Sequence, residues 1–270
     1  MYENYIDKAT KIRQGEEINS SNLQEYLTKI LSIKSDIEIF QFPSGFSNLT
    51  YLIKIGKDEY VLRRPPHGAK IKTGHDMFRE FNILSKLYPF FNKVPKAICY
   101  CEDAKVIGAP FYLMEKINGV IIRGNSKTIN KLDKDNMGKI ANNFINNFVE
   151  LHSIDIHKSK LNEIGKIDGY NLRQINGWIK RYNNSIVDEC ANLKKTAKWL
   201  LNNIPKESSA SLIHNDYKYD NIVLNSKNIS EIISVLDWEM STIGDPLMDL
   251  GTSLGYWINH NDPDFMKKLN

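Results

Sequence analysis

The run His214-Asn215-Asp216-Tyr217-Lys218-Tyr219-Asp220-Asn221, followed further on by Asp237-Trp238-Glu239, gathers the side chains best suited to chemistry. Phosphoryl transfer from a nucleoside triphosphate suits this set. That reaction needs little covalent help, but it needs a divalent cation on the phosphates, an in-line hydroxyl, and a group that orients and deprotonates the hydroxyl. Mg²⁺ takes hard oxygen ligands and keeps several waters, so one carboxylate and one amide oxygen suffice. Asp237 and Asn221 fit those two ligand roles, and Asp216 fits as the carboxylate that receives the hydroxyl proton. His214 is expected to hold the turn by hydrogen bonding. Lys218 is a candidate for neutralising charge on the transferring group, with a solvated side chain as the equal alternative. A polar loop serving only as a turn is the competing reading of the whole run. The strand-borne Asp237 at this separation weighs against it.

Elements of definite type must carry these groups. Ser211, Leu212 and Ile213 read as a buried strand leading in, while Ile222–Leu224 and Ile232–Leu236 frame a hairpin that ends at Asp237. Upstream, Met137, Ile140, Ala141, Phe144, Phe148 and Leu151 define an amphipathic helix with Asp133 or Asp135 near its start. A further helix is expected over roughly 187–203, from Val187 through Ala197 and Leu200. The first half differs in character. A helix over 21–31, capped by Ser20 or Ser21, precedes a strand in which Leu49, Tyr51, Ile53 and Ile55 alternate with other residues. A turn at 56–58 returns the chain through Tyr60 to Arg63. Beyond Pro65 and Pro66 the spacing predicts a helix over 76–88, then a strand-like segment over 97–116 that includes Ile98, Tyr100, Val106 and Phe111–Met114. The fold class is therefore α+β: a small β-rich lobe joined near 115–120 to a larger, mostly helical lobe. Ligand sites favour such a junction.

The chain has 270 residues, enough for one large domain or two lobes that share a cleft. With 36 basic and 32 acidic residues the net charge is only +4, too weak a field to argue for nucleic acid or an anionic membrane as partner. No apolar run approaches the roughly 18–20 residues that span a bilayer. The N-terminus lacks a basic start followed by an apolar stretch, so a cytoplasmic protein is expected. The three cysteines, at 99, 101 and 190, are expected to be buried or half-buried thiols, since a metal pair at 99 and 101 has no further ligands at suitable spacing.

Several ordered motifs carry a resemblance. FPSGFSNLTYLI (42–53), YVLRRPP (60–66), HDMFREF (75–81), PFYLMEKING (110–119), LHSID (151–155), HNDYKYDN (214–221) and VLDWEMSTIGDPLMDLGT (235–252) resemble the aminoglycoside phosphotransferase and choline kinase superfamily, which has a protein-kinase-like fold. The closer likeness is to the phosphotransferase branch that also occurs fused to acyl-CoA dehydrogenases. The resemblance implies a bilobal molecule, with residues 1–116 as the nucleotide-binding lobe and 117–270 as the catalytic lobe. It implies ATP as phosphoryl donor, Mg²⁺ as cofactor, and a small hydroxylated molecule as acceptor. A hydroxyacyl compound leads as acceptor, and an aminoglycoside or amino alcohol is the alternative. A nucleotide-binding regulator without turnover is the other class. A protein kinase is disfavoured, because D-F-G, A-P-E and an activation segment are missing.

By residue, the resemblance implies that Ser44, Gly45, Ser47 and Asn48 form the loop over the phosphates, although Gly45 also suits a plain hairpin turn. It places Arg63 against the α- and β-phosphates with Arg64 as the competing choice, and Glu80 as the partner that fixes that arginine. Met114, Glu115 and Ile117, with Lys116, match the interlobe hinge whose backbone would bind the adenine edge. Glu239 is a candidate supporting or second-metal group. Asp245 and Asp249 are expected to cap a helix and brace the catalytic loop, and His152 to pack or cap. Relatives usually continue past the position of Asn270 with helices that shape the acceptor pocket, so truncation of the second lobe is an open expectation.

Overall fold

A computed structural model describes residues 2, 5–32, 35–43, 47–68, 76–123, 132–259 and 261–267. Helix α1 (Ser20–Leu31) starts at Asn19, whose side chain accepts the Asn22 N–H, so the cap lies one residue before the expected serines. Strands β1 (Ile37–Gln41), β2 (Leu49–Ile55) and β3 (Asp58–Arg64) follow, the last two joined tightly at Gly56, where φ is +60°. Helix α2 (Met77–Leu87) is capped by Asp76 through the Arg79 N–H. After β4 (Ala97–Cys101) comes a one-turn helix, α3 (Ala104–Ile107), closed by left-handed Gly108, and then β5 (Phe111–Glu115). Val106 thus belongs to a helix and not to the expected strand: Asp103 caps the Lys105 N–H and turns the chain out of the sheet.

These five strands form one antiparallel sheet in the order β1-β2-β3-β5-β4. Its two faces are covered differently. Leu62 of β3 faces α1, in a core with Leu23, Leu27, Ile53 and Leu113. Val61 and Met114 on the opposite face join Phe144, Leu151, Leu212 and Trp238, a core continuous with the second half of the chain. Strand alternation therefore sends Arg63 toward the second half and Arg64 away from it.

The second half begins with β6 (Val120–Ile121), followed by the long α4 (Lys134–His152), capped by Asp133, then α5 (Tyr170–Ser185) and α6 (Ala191–Asn202). Helix α5 has no counterpart in the sequence reading, and α6 starts later than expected, leaving Val187 outside it and 95% exposed. Strands β7 (Ser211–Ile213), β8 (Ile222–Leu224), β9 (Ile232–Val235) and β10 (Thr242–Gly244) precede α7 (Pro246–Leu254). They form a β6-β8-β9 sheet and a β10-β7 pair, all antiparallel. The N-terminal segment ties the halves together, with Ile6 bridged to Val120 and Thr10 to Gln41. Cys101 is buried and Cys99 half-buried, but Cys190 is exposed, contrary to expectation, because α6 buries none of its residues and Cys190 caps it from outside. No helix among the described residues is long and apolar enough to cross a membrane.

Candidate active site

A cleft of about 490 Å³ lies between the five-stranded sheet and the second half. Val61, Arg63 and Met114 line it from the sheet, and Asp216, Asn221 and Asp237 from the other side. The loop from 214 to 221 leaves β7 and is held by Asp249 of α7. One Asp249 oxygen accepts the His214 N–H and the other the Asn215 N–H, both at 2.7 Å. Asn215 then turns through left-handed backbone at φ 62°, a conformation asparagine tolerates better than most residues. The His152 ring approaches the same carboxylate at 2.9 Å, so that histidine supports the brace.

His214 is fully buried and uses both ring nitrogens inside the protein. Nδ1 accepts the Asp216 N–H at 3.2 Å, which puts the ring proton on Nε2, donated to the Leu236 carbonyl at 2.9 Å. Burial lowers its pKa and keeps the ring neutral. His214 therefore ties the loop to the β9 end by hydrogen bonding, as the sequence suggested, and both ring nitrogens are used there.

Asp216, 8% exposed, is held at both oxygens. Asn221 Nδ2 donates to Oδ2 at 2.8 Å and to the Asp216 carbonyl at 2.9 Å, while Lys218 Nζ lies 3.0 Å from Oδ1. The Tyr256 hydroxyl donates to Oδ1 at 2.6 Å. With both amide hydrogens of Asn221 committed to Asp216, its amide oxygen is the atom left for a cation.

Across the cleft, Arg63 gathers three carboxylates. Nη1 bonds Glu80 Oε1 at 2.5 Å, and Nη2 lies 2.9 Å from Asp237 Oδ1 and 3.4 Å from Glu239 Oε2. Arg63 and Glu80 are both buried. Burial raises the Glu80 carboxyl to about 7, against the pull of Arg63, with the neighbouring Asp237 and Glu239 charges adding to the rise. At Asp237 burial also pushes upward, but Arg63 outweighs it and holds the group below the usual carboxylate range. Asp237 sits at φ 66°, ψ 64°, a left-handed conformation that costs a non-glycine residue roughly 1–2 kcal/mol. Glu239 also accepts hydrogen bonds from Ser47 Oγ at 2.7 Å and from Asn48 Nδ2, so the rim loop of the sheet is fastened to the floor.

The "Phosphotransferase enzyme family" profile matches residues 38–269, most of the described chain and all of the residues lining this cleft except Ile6 and Asp7. The chain belongs to that family. Among curated relatives it is 32% identical to mouse acyl-CoA dehydrogenase family member 10 over 96% of this chain and 24% of that protein. It is 35% identical to human acyl-CoA dehydrogenase family member 11 over 87% of this chain and 30% of that protein. The chain thus spans about a quarter to a third of the length of these relatives. Among solved structures, a Ralstonia eutropha protein described as a candidate aminoglycoside phosphotransferase superposes with TM-score 0.78 at 26% identity, covering 91% of this chain and 72% of that one. A GDP and kanamycin complex of APH(2″)-IIIa has TM-score 0.65 at 18% identity, covering 88% and 78%, and shares the fold. The kinase-like α+β fold of the family is the fold of this chain.

In this phosphotransferase-family chain, strand parity puts Arg63 in the cleft and Arg64 away from it. Arg64 is 1% exposed and bonds the Ile107 and Pro65 carbonyls on the far face of the sheet. Ser47 lines the cleft, and Asn48 is buried beside it; Ser44 and Gly45 lie outside the described residues. Met114, Glu115 and Ile117 all line the cleft, and the Glu115 N–H is already bonded to the Lys96 carbonyl. Asp245 caps α7 through the Leu247 N–H and also accepts from Ser208, so it braces the segment before β7 instead of the loop itself. Sequence reasoning missed Tyr256 and Trp238. The Trp238 N–H donates to Glu80 Oε1 at 3.2 Å, and its ring packs on His214. Trp238 lay inside the DWE motif and was open to notice, whereas nothing local marks Tyr256.

Proposed function

We propose that the chain is an ATP-dependent kinase that moves the terminal phosphoryl group onto the hydroxyl of a small molecule, with Asp216 as general base. The observation that carries this reading is the convergence of Asp216, Asn221, Asp237 and Arg63 on one cleft. In this reading residues 1–116 form the nucleotide-binding lobe and residues 117–270 the catalytic lobe. Ser47 and Asn48, with Ser44 and Gly45, cover the phosphates. Met114, Glu115 and Ile117 form the hinge, and because the Glu115 N–H is used within the sheet edge, donation to a base falls to Ile117. Arg63, fixed by Glu80, meets the α- and β-phosphates through a planar fork.

The donor set fits Mg²⁺. Asn221 offers an amide oxygen and Asp237 a carboxylate, both hard ligands, and three carboxylates around one guanidinium leave local negative charge unbalanced. Among the described residues no group of three or more His, Cys, Asp or Glu side chains makes a self-contained metal cage. Such a pattern suits a cation that shares its shell with phosphates. Bound there, Mg²⁺ would supply charge neutralisation on the triphosphate. Asp216 orients the acceptor hydroxyl and takes its proton, Asn221 holds Asp216 in place, and Lys218 offsets charge beside it.

The acceptor we favour is a hydroxyacyl compound. The curated relatives bear the name of acyl-CoA dehydrogenase family members, which supports an acyl-bearing substrate for the region they share with this chain. Cytoplasmic residence agrees with its three unpaired cysteines. Two measurements test the reading. Mg²⁺-dependent thermal stabilisation by ATP reports the donor site. Turnover against hydroxyacyl compounds, amino alcohols and aminoglycosides reports the acceptor. Stabilisation without turnover on any of them would favour a nucleotide-binding regulator instead.

A further inference from the structure

Asp216 Oδ1 already carries a hydroxyl. Tyr256, two residues beyond α7 and half-buried, donates its phenol O–H to that oxygen at 2.6 Å. Lys218 Nζ lies 3.0 Å from the same oxygen and 4.7 Å from the centre of the Tyr256 ring. A carboxylate oxygen offers two lone-pair positions, so Tyr256 and Lys218 together fill Oδ1. An O–H donating to a carboxylate is also the arrangement a general base makes with the alcohol it is about to deprotonate. Tyr256 thus makes, from within the chain, the contact an acceptor needs. Burial, then the hydrogen bond to Asp216 and that group's charge, raise the phenol's pKa, so it stays a donor.

We propose that Tyr256 occupies the acceptor position on Asp216 while no acceptor is bound, excluding water from the base, and yields that oxygen to the acceptor hydroxyl. This rests on the reading of Asp216 as the base. The side reaction it prevents is hydrolysis of ATP. There the water oxygen would bond to the γ-phosphorus, the bond from that phosphorus to the β–γ bridging oxygen would break, and a water proton would pass to Asp216. ADP and inorganic phosphate would then leave. Tyr256 is a positioning residue in this scheme, since it acts through Asp216.

The test is Mg²⁺-ATP hydrolysis without acceptor by wild type, Tyr256→Phe and the double variant Tyr256→Phe/Asp216→Asn, with Tyr256→Leu as a second variant should the phenylalanine form fold poorly. Removing the phenol should raise hydrolysis about tenfold, the scale of one hydrogen bond, with stabilisation by Mg²⁺-ATP retained. Adding Asp216→Asn should abolish the gain. A merely structural tyrosine would not increase a rate when removed. Unchanged or slower hydrolysis in a folded variant that ATP still stabilises overturns the proposal. So does recovery of phosphotyrosine at position 256 in the wild type, which would make the phenol an acceptor and not a guard. A wild type that Mg²⁺-ATP fails to stabilise overturns the kinase reading itself, and this inference falls with it.

Discussion

Arg63 Nη1 and Glu80 Oε1 lie 2.5 Å apart, joining β3 to α2 in a site where Glu80 is 1% exposed. One guanidinium here serves Glu80, Asp237 and Glu239 together, so Glu80 is the carboxylate whose charge the site supports least well. Its pKa is pushed up to about 7 from 4.5, burial being the main cause. The folded state therefore holds this proton more tightly than the unfolded state. The stabilisation is complete below pH 4.5 and is lost as pH rises through about 7. Glu80→Gln should flatten that part of the profile, which amounts to about 3 kcal/mol if Glu80 acts alone. Urea midpoints for both proteins between pH 5 and pH 8, without nucleotide, check it. An equal slope in the variant would assign the pH dependence to other groups.

Asp216 and Asp237 should fail in different ways. Asp216→Asn keeps shape and the neighbouring amide but cannot accept the proton, so kcat should fall at least about 10²-fold with nucleotide affinity largely intact. Asp237→Ala removes the Arg63-paired carboxylate proposed as the cation ligand, and Mg²⁺-dependent stabilisation by ATP should disappear. Calorimetry with and without Mg²⁺, run beside steady-state kinetics, separates the two. Identical behaviour of the variants would argue against distinct roles.

Asp249 is fully buried and holds the loop by two backbone N–H groups. Asp249→Ala strands both donors, each costing roughly 1–3 kcal/mol when buried without a partner. A loss of about 3 kcal/mol is expected, read from urea unfolding. Asp249→Asn keeps one acceptor oxygen and should lie between wild type and alanine.

Much of this site could be read from the chain because its groups are close in sequence or fixed by strand parity. The loop from 214 to 221 is a local motif between apolar strands. Arg63, with Arg64 as its competitor, and Glu80 come from the family resemblance; the alternation with Val61 and the amphipathic helix over 76–88 are the local patterns that place them. Other parts resist such reading for physical reasons. Helix α5 is rich in Asn, Arg and Lys and buries only Tyr170, Asn171 and Ile175, so its apolar face is diluted by polar residues and easily passed over. Val106 belongs to a single helical turn too short for any period to register. Strand β1 is an edge strand with one fully buried residue, Gln41, held by the N-terminal segment rather than by a hydrophobic face. The contact between Tyr256 and Asp216 joins positions 40 residues apart through the packing of α7, and no local pattern encodes it.

Gly119 follows the hinge and lines the cleft just before β6. A Cβ built there would lie 2.5 Å from the Leu224 carbonyl oxygen and would also overlap the Val223 side chain. The carbonyl belongs to β8, which is paired on both sides, with β6 and with β9, so it has little freedom to move. Relief must come from β6 shifting away, which weakens the β6–β8 pairing and moves the hinge end of the cleft. Gly119→Ala should therefore cost about 1–3 kcal/mol, the range for overpacking a close contact. It should also raise KM for ATP more than it lowers kcat, because Asp216 and Asn221 stand on a loop that Asp249 and His214 hold independently. Gly138→Ala, in α4 with open space around its Cβ, is the control and should leave both constants unchanged while holding or slightly raising stability. Equal unfolding midpoints for wild type and Gly119→Ala would show that β6 accommodates a side chain, and the hinge would then not be set by this close approach.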